Sequence, residues 1–414
     1  MKVEIFRNYL VAGLGRVASA LDTSDIGSLI GIKVEKDGLY LSVHSDNLAC
    51  QVKLDAKSDG ENILKIISEG NVSVTGKMLI DAISSLEGKS NLSIEFEPAP
   101  ADAQVAAPVE TDDAETDEEP KEKTIGQLSI KSERGKDFEE VSLSCVERKV
   151  NVVMPAPDPA IVIKGAMFKD YYKKVGVSAG KANMAAELAN VSISAKDGIV
   201  TMVTTNGQQL SLAKFEAEVK KSASVLLPYD ILAKAIGMLG GEEADTVAIQ
   251  LSEGKPVCAF VSQPLRFLNK ENGEARYKIT SISDAFPNFD RVLSKLSWIA
   301  TCRINKAEME QSIKSFDVFE QVRTRLELSK DRSEIGLRKV TDKGKAKRFV
   351  SVNDLVFTKP EEAQDIEMDV SSRHLSLGIS TALEDSVTLK MSGKSTMAKF
   401  DLGKGLEFYF QPFK

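Results

Sequence analysis

An α+β fold built from three repeated units is predicted, each unit an antiparallel sheet with two helices on one face. Three observations predict it: a gapless internal match between residues 34–47 and 194–207, an amphipathic helical segment ahead of each strand-turn-strand stretch, and a second helix that recurs between strands. Length agrees, because 414 residues exceed one ordinary core and suggest two or three domains. A hydrophobic content of 42% with 28% charged residues is that of a globular chain able to bury its cores, not of a disordered one.

The match aligns Val34-Glu35-Lys36-Asp37-Gly38-Leu39-Tyr40 and the seven residues after it with Ser194-Ala195-Lys196-Asp197-Gly198-Ile199-Val200 and its continuation. Both copies read strand, Lys-Asp-Gly turn, strand, second turn. Ahead of the first copy, Phe6, Leu10, Leu14, Val17 and Leu21 step by four or three, which places them on one helical face. Met167, Tyr171 and Val175 do the same ahead of the second. Met309, Ile313 and Phe316 precede a third strand-like stretch, Arg325–Asp331. The second helix is expected over 77–86, 228–239 and 373–383, each between strand-like runs.

Boundaries follow from composition. Met154-Pro155-Ala156-Pro157-Asp158-Pro159 has three prolines in five positions, which forbids helix and disfavours a central strand, so it reads as a linker. A weaker break follows Phe286–Leu293. The expected domains are therefore 1–153, 160–293 and 294–414. Inside the first, residues 98–124 form an expected disordered acidic loop: Pro98–Lys123 holds nine acids and two lysines and few large apolar residues, too little to offset the entropy of ordering. The flanking alternation of Leu92, Ile94 and Phe96 with Leu128 and Ile130 predicts a hairpin whose turn has been lengthened into that loop.

Several function classes lose support at this stage. Met1–Leu10 lacks the apolar run of a signal peptide and no stretch approaches the length of a membrane span, so a cytoplasmic protein without membrane contact is expected. Cys50, Cys145, Cys258 and Cys302 are scattered without a close pair, as expected of reduced thiols in core slots. His44 and His374 each stand alone, and no nucleophile elbow, phosphate loop or HExxH pair occurs. No catalytic residue, metal ligand or cofactor is expected. Two other readings compete: a repeat-built protein-interaction scaffold, which predicts neither a ring nor salt-dependent DNA association, and a hydrolase, which predicts a convergent cleft with shifted carboxylates or histidine.

The three-fold repeat, the Gly207-Gln208-Gln209-Leu210 turn after a strand, Phe286-Pro287-Asn288-Phe289-Asp290-Arg291-Val292-Leu293 and the ending Phe408-Tyr409-Phe410-Gln411-Pro412-Phe413-Lys414 together resemble the bacterial DNA polymerase III beta subunit, the beta sliding clamp. The resemblance spans nearly the whole chain and rests on order and spacing. Bacterial clamps usually carry an acidic residue before the turn glycine and His-Arg after it. Here Asn206 precedes Gly207 and Gln208-Gln209 follow, a departure that bears on partner specificity and fits a phage-encoded or divergent member.

The resemblance implies a non-enzymatic ring of clamp domains, made by a homodimer joined between first and third repeats, that encircles double-stranded DNA without reading sequence. A separate ATP-driven clamp loader would place it there, and it would tether DNA polymerase and other proteins carrying clamp-binding peptides. The helices would face DNA with Arg7, Arg16, Lys77, Lys164, Lys169, Lys173, Lys174, Lys181, Lys234, Lys306, Lys314 and Arg373. The net charge of −7 is compatible with this, because the acidic loop accounts for all of it, and six helix windows hold these twelve bases against five acids. The partner pocket, carried over by position, would involve Leu188, Thr205, Gly207, Gln209, Leu210, Pro287, Arg291, Val292, Ser372, Leu375, Met397, Tyr409, Phe410, Gln411, Pro412 and Phe413. Four aromatic residues in the last seven, Phe408, Tyr409, Phe410 and Phe413, must be docked or used in binding to avoid aggregation.

Overall fold

The computed structural model describes residues 1–18, 20–21, 28–45, 47–58, 61–86, 91–100, 123–134, 137–150, 152–181, 184–237, 239, 246–252, 257–267, 270–281, 286–316, 323–331, 333–341, 344–359, 364–392 and 397–413. Most of the expected acidic loop, 101–122, lies outside them, as does Lys414. The chain divides into two compact units, Met1–Ala166 with Ile231–Thr280 and Met167–Asp230 with Ser281–Lys414, so residues 160–293, expected as the middle repeat, contribute to both.

The first unit is organised on one sheet. It runs from Ile161–Lys164 through Thr246–Leu251, Cys258–Phe267 and Lys270–Thr280 to Leu48–Asp55, Gly38–His44, Leu29–Glu35 and Gly70–Thr75. It continues through Asp137–Val146, Thr124–Arg134, Asn91–Pro98 and Lys2–Phe6 to Leu64–Ser68. The hairpin expected around the acidic loop is present: Gly126 pairs with Pro98, Leu128 with Phe96 and Ile130 with Ile94, all antiparallel. Its alternation buries Leu92, Ile94, Leu128 and Ile130 almost completely.

The second unit holds a 12-stranded sheet in the order Ala223–Pro228, Asn190–Lys196, Ile199–Thr205, Gln209–Glu216, Leu406–Phe410, Ala398–Asp401, Ser386–Ser392, Trp298–Asn305, Gly344–Phe357, Glu334–Thr341, Arg323–Leu328 and Ile366–Ser371. Every described pairing in either unit is antiparallel. The fold is thus α+β with long antiparallel sheets and seven helices among the described residues.

The helices are α1 (Arg7–Ala18), α2 (Gly76–Ser85), α3 (Gly165–Val175), α4 (Tyr229–Gly237), α5 (Phe289–Leu293), α6 (Lys306–Lys314) and α7 (Ser372–Ser380). The second-helix pattern is stricter than the sequence reading foresaw. α2 buries Leu79, Ala82 and Ile83, α4 buries Leu232, Ala235 and Ile236, and α7 buries Leu375, Gly378 and Ile379: one spacing, one face, with a small residue always in the middle. In α7 the reason for a small residue is visible, since a Cβ on Gly378 would come within 2.5 Å of the Phe408 ring. Each buried Leu or Ile contributes about 1.5–3 kcal/mol by leaving water.

The first-helix pattern holds with one correction. α1 buries Leu10, Leu14 and Val17 as expected, but Phe6 ends the preceding strand and is 44% exposed. Tyr9 fills the core place instead, fully buried, its hydroxyl donating to the Asn272 carbonyl. The periodicity reading passed over Tyr9 because it followed the four-residue step from Phe6.

The two hairpin copies differ by one residue in register. In the first, Glu35 pairs with Gly38, leaving Lys36-Asp37 as the turn; in the second, Lys196 pairs with Ile199, leaving Asp197-Gly198. The two Lys-Asp-Gly stretches therefore do different work. Asp197 and Gly198 take positive φ of 51° and 80°, the conformation a tight two-residue hairpin turn demands. Gly38 instead begins its strand, where a Cβ would meet the Leu54 carbonyl oxygen at 2.4 Å. Buried positions align once the copies are shifted by that residue: Leu39 corresponds to Val200 and Leu41 to Met202, whereas Ile199, matched to Leu39 by sequence, is 38% exposed.

All four cysteines are buried and free. Burial pushes the Cys145 and Cys302 thiols up to about 12, so they are poor nucleophiles at neutral pH.

Candidate functional site

An apolar pocket of about 140 Å³ opens in the second unit. Its first wall is the turn joining strands Ile199–Thr205 and Gln209–Glu216. The turn is held by its own side chains: Thr205 Oγ1 donates to the Gln209 carbonyl at 2.7 Å and accepts from Gly207 N–H at 3.1 Å. Asn206 Oδ1 accepts from the N–H groups of Gln208 and Gln209, both at 3.0 Å. Gly207 sits at φ +86°, where a side chain would be strained. An asparagine does here what an aspartate does in such turns, because the acceptor oxygen is shared by both.

The second wall is the Phe-Pro-x-Phe segment. Asn288 caps α5 by accepting from Arg291 N–H at 2.9 Å, and the helix presents Phe289, Val292 and Leu293 to the pocket. Phe286 and Phe289 meet edge to face with centroids 6.2 Å apart. Val292 is half exposed.

The floor is a buried cluster of Val203, Leu212, Met397 and Tyr409, with Leu210, Leu296 and Trp298 packed around it. Tyr409 is the hinge of this arrangement. Its ring lies 6.4 Å from that of Trp298 and its hydroxyl donates to Glu407 Oε2 at 2.5 Å. Burial opposes ionisation of Glu407, but hydrogen bonds from Lys399 and Tyr409 outweigh it and hold the carboxyl below its ordinary value. The apolar floor therefore rests on a satisfied polar network.

Of the residues expected here, Thr205, Gly207, Gln209, Leu210, Pro287, Val292, Met397, Tyr409 and Gln411 line the pocket. Leu188 reaches its rim, 4.0 Å from the position a Gly207 Cβ would take. Arg291 is exposed and does not line it. Leu375 and Phe410 do not line it: both are fully buried, Leu375 on the inner face of α7 and Phe410 against Phe400 at 5.1 Å. Ser372 is engaged with Thr324 at 2.6 Å. Pro412 and Phe413 lie beyond the pocket, where Phe413 N–H donates to the Asp369 carbonyl at 2.7 Å. The sequence reading missed Gln208, Asn288, Phe289 and Leu293 as lining residues. The last three were within the Phe286–Leu293 segment already singled out, and an Asn before three helical residues is itself a capping signal.

Of the twelve cations expected on helices, ten are there, whereas Lys164 ends the strand Ile161–Lys164 and Lys181 lies beyond α3, because the helix is shorter at both ends than the window 164–181. The twelve divide into two groups. Lys77, Lys164, Lys173, Lys181, Lys234, Lys314 and Arg373 are exposed. Arg7, Arg16, Lys169, Lys174 and Lys306 are partly buried, and three of these satisfy helix ends. Arg7 donates to the carbonyls of Ile83 and Ser84 at the end of α2, at 3.1 and 3.2 Å. Lys306 donates to Ala382 at the end of α7 at 3.0 Å, and Lys174 to Thr381 at 3.4 Å. A cation at a helix C-terminus meets its orphan carbonyls and the negative end of its dipole. The same device closes the second helix in both places, with the cation supplied by the residue that opens α1 or α6. His374 is half-buried, and desolvation together with nearby Arg373 lowers its pKa. Among the described residues no cluster of His, Cys, Asp and Glu could hold a metal ion, and no helix is long and apolar enough to cross a membrane.

Repeated antiparallel sheets carrying paired helices, with an apolar pocket beside the last strand, define a clamp-type α+β fold. Solved structures of that fold match the chain from end to end. The DNA polymerase sliding clamp of Bacillus subtilis superposes with a TM-score of 0.77 at 13% identity, covering 100% of this chain and 99% of that one. A putative DNA polymerase III beta subunit from Eubacterium rectale gives 0.76 at 14%, with the same coverage. The beta clamp of Helicobacter pylori gives 0.74 at 17%, covering 100% of both chains. The fold of this protein is that of the bacterial DNA polymerase III beta sliding clamps. No family model and no curated protein sequence matches it.

Proposed function

We propose that this chain is a sliding clamp: a non-catalytic homodimeric ring that encircles duplex DNA in the cytoplasm and tethers a DNA polymerase. The observation that carries the reading is a pairing rule. Taking the repeats as 1–153, 160–293 and 294–414, the third hairpin strand of repeat one, Leu48–Asp55, pairs with the last strand of repeat two, Lys270–Thr280. The third strand of repeat two, Gln209–Glu216, pairs with the last strand of repeat three, Leu406–Phe410.

By the same rule Gly344–Phe357 of repeat three and Asp137–Val146 of repeat one are each left with an edge to fill. Along 345–351 and 140–144 those edges carry no strand partner among the described residues. Unpaired edges invite pairing with another chain, and a third junction made with a second copy repeats the first two head to tail. Two such junctions close a ring of six repeats. Phosphate contacts from exposed lysines such as Lys77, Lys173 and Lys234 then position the ring without reading bases, so it slides. The pocket beside Tyr409 receives apolar side chains of partner peptides, and an ATP-driven loader opens the ring.

The test is retention on DNA after loading. Retention on a nicked circle in moderately high salt, with rapid loss once the same plasmid is linearised, is the expected result. Equal loss from both forms would sink the clamp reading in favour of a protein-interaction scaffold. Light scattering should give twice the 45.0 kDa chain mass.

A further inference from the structure

One face of the second unit's sheet carries a row of cations that neither the ring nor the apolar pocket uses. Arg325 stands directly opposite Arg338, and Arg338 directly opposite Lys347, so three cations lie side by side across three strands. Like charges in directly opposed positions destabilise a sheet. Carboxylates answer part of this. Asp369, opposite Arg325, takes its guanidinium at 2.8 and 3.2 Å, and Glu327 takes Lys347 at 2.7 Å and stands 3.8 Å from Arg338. Arg323, two residues before Arg325 and so on the same face, is 4.0 Å from Asp369, the ion pair described for it. Arg323, Arg325, Arg338, Val340 and Asp369 enclose a polar pocket of about 290 Å³.

The last residues of the chain lead from the apolar pocket to this one. Gln411 lines the apolar pocket and its N–H donates to the Gln208 carbonyl at 3.0 Å. Phe413, bonded to Asp369 through its own N–H, lays its ring 4.9 Å from the Arg323 guanidinium. Two extended residues span about 7 Å, so the two pockets are neighbours on one surface. A peptide that fills one and runs towards Phe413 is long enough to reach the other.

We propose that the Arg323–Arg338 pocket receives the acidic flank of the peptide whose apolar anchor enters the Tyr409 pocket, so that the partner is an apolar-plus-acidic segment. The proposal rests on the peptide-docking reading of the apolar pocket. Guanidinium groups suit it: they bind carboxylates in paired hydrogen bonds and stay charged at any physiological pH. Continuity with the apolar pocket favours a peptide carboxylate over a duplex phosphate as the anion.

The experiment is fluorescence anisotropy on the full chain with two labelled synthetic peptides that share one Leu-Phe-containing apolar anchor and differ in a flank of three Glu or three Gln. The Glu peptide is expected to bind about tenfold tighter at low salt, and to lose that advantage near 1 M salt, where the Debye length is about 3 Å. The double variant Arg323→Ala, Arg338→Ala should remove the difference and leave the Gln peptide unchanged; both side chains are exposed, so the fold tolerates it. Val292→Asp should weaken both peptides. Equal binding of the two peptides to the unmodified chain overturns the acidic-flank proposal while the pocket reading stands. Binding of neither defeats the pocket reading and the proposal with it. Binding of the Glu peptide that survives Val292→Asp but not the arginine variant shows an anion site independent of the pocket, and loss of retention on DNA in the arginine variant assigns the row to phosphate; either result overturns the proposal.

Discussion

Around Tyr409, a turn, a capped short helix and two strand ends meet over a buried floor, and each piece is held by named hydrogen bonds. The expected cations, by contrast, are dispersed along the chain from Arg7 to Arg373, seven of twelve exposed and three of the remainder spent on helix ends. The contrast teaches where single substitutions bite. A pocket assembled from interlocking parts fails when one part goes, whereas a dispersed cationic surface loses strength in small steps.

The largest effect should come from the floor. Tyr409→Ala removes a buried ring and leaves Glu407 without one of its donors, and a loss of about 3–5 kcal/mol of unfolding free energy is expected in urea titrations. Val292→Asp spares the floor, because the residue is half exposed. It should leave the urea midpoint within about 0.5 kcal/mol and weaken an apolar peptide by about a hundredfold, roughly 2.7 kcal/mol. Removing Gln411–Lys414 belongs beside it: stimulation of polymerase should be lost while the dimer remains, and unchanged stimulation would detach the tail from the pocket.

Smaller effects probe the boundary between the two regions. Lys306→Ala should cost about 0.3–1 kcal/mol of stability by uncapping α7, a structural loss that a purely DNA-facing lysine would not show. Tyr409→Phe should bring the Glu407 carboxyl back towards its ordinary value. Because that carboxyl is held below 4.5 in the folded chain, the stability it contributes is present above 4.5 and lost as pH falls through the folded value. The difference in urea midpoint between pH 7 and acid should therefore shrink in the variant. Smallest of all, Lys173→Ala should lower the slope of log affinity against log salt by about 1 and leave folding untouched. A loss of stability there would move Lys173 into the capping group.

The repeat shows how far pattern reading goes. Matching Lys36-Asp37-Gly38 to Lys196-Asp197-Gly198 located both hairpins but set their register one residue off, since one glycine serves a turn and the other a close approach between strands. Letters alone do not distinguish those two demands. Phe6 and Tyr9 exchanged places for a related reason: the strand Lys2–Phe6 runs to the first residue of the apparent helical step. In the pocket, the turn and the Phe-Pro-x-Phe segment were legible as local motifs, while Leu375 and Phe410 were not separable from lining residues, because an apolar residue reads the same whether it faces a core or a groove.

By itself the sequence determined the kind of element, amphipathic helices of fixed spacing and alternating strands, both set by local periodicity and by which side chains water rejects. Tertiary structure decided which edges meet, as in Leu48–Asp55 with Lys270–Thr280. It also decided which cations cap helices and which stay exposed, and brought Thr205, Val292 and Tyr409 to one pocket from three distant stretches of chain. Those outcomes depend on strand pairing between residues far apart in the chain, and no local pattern records the partner.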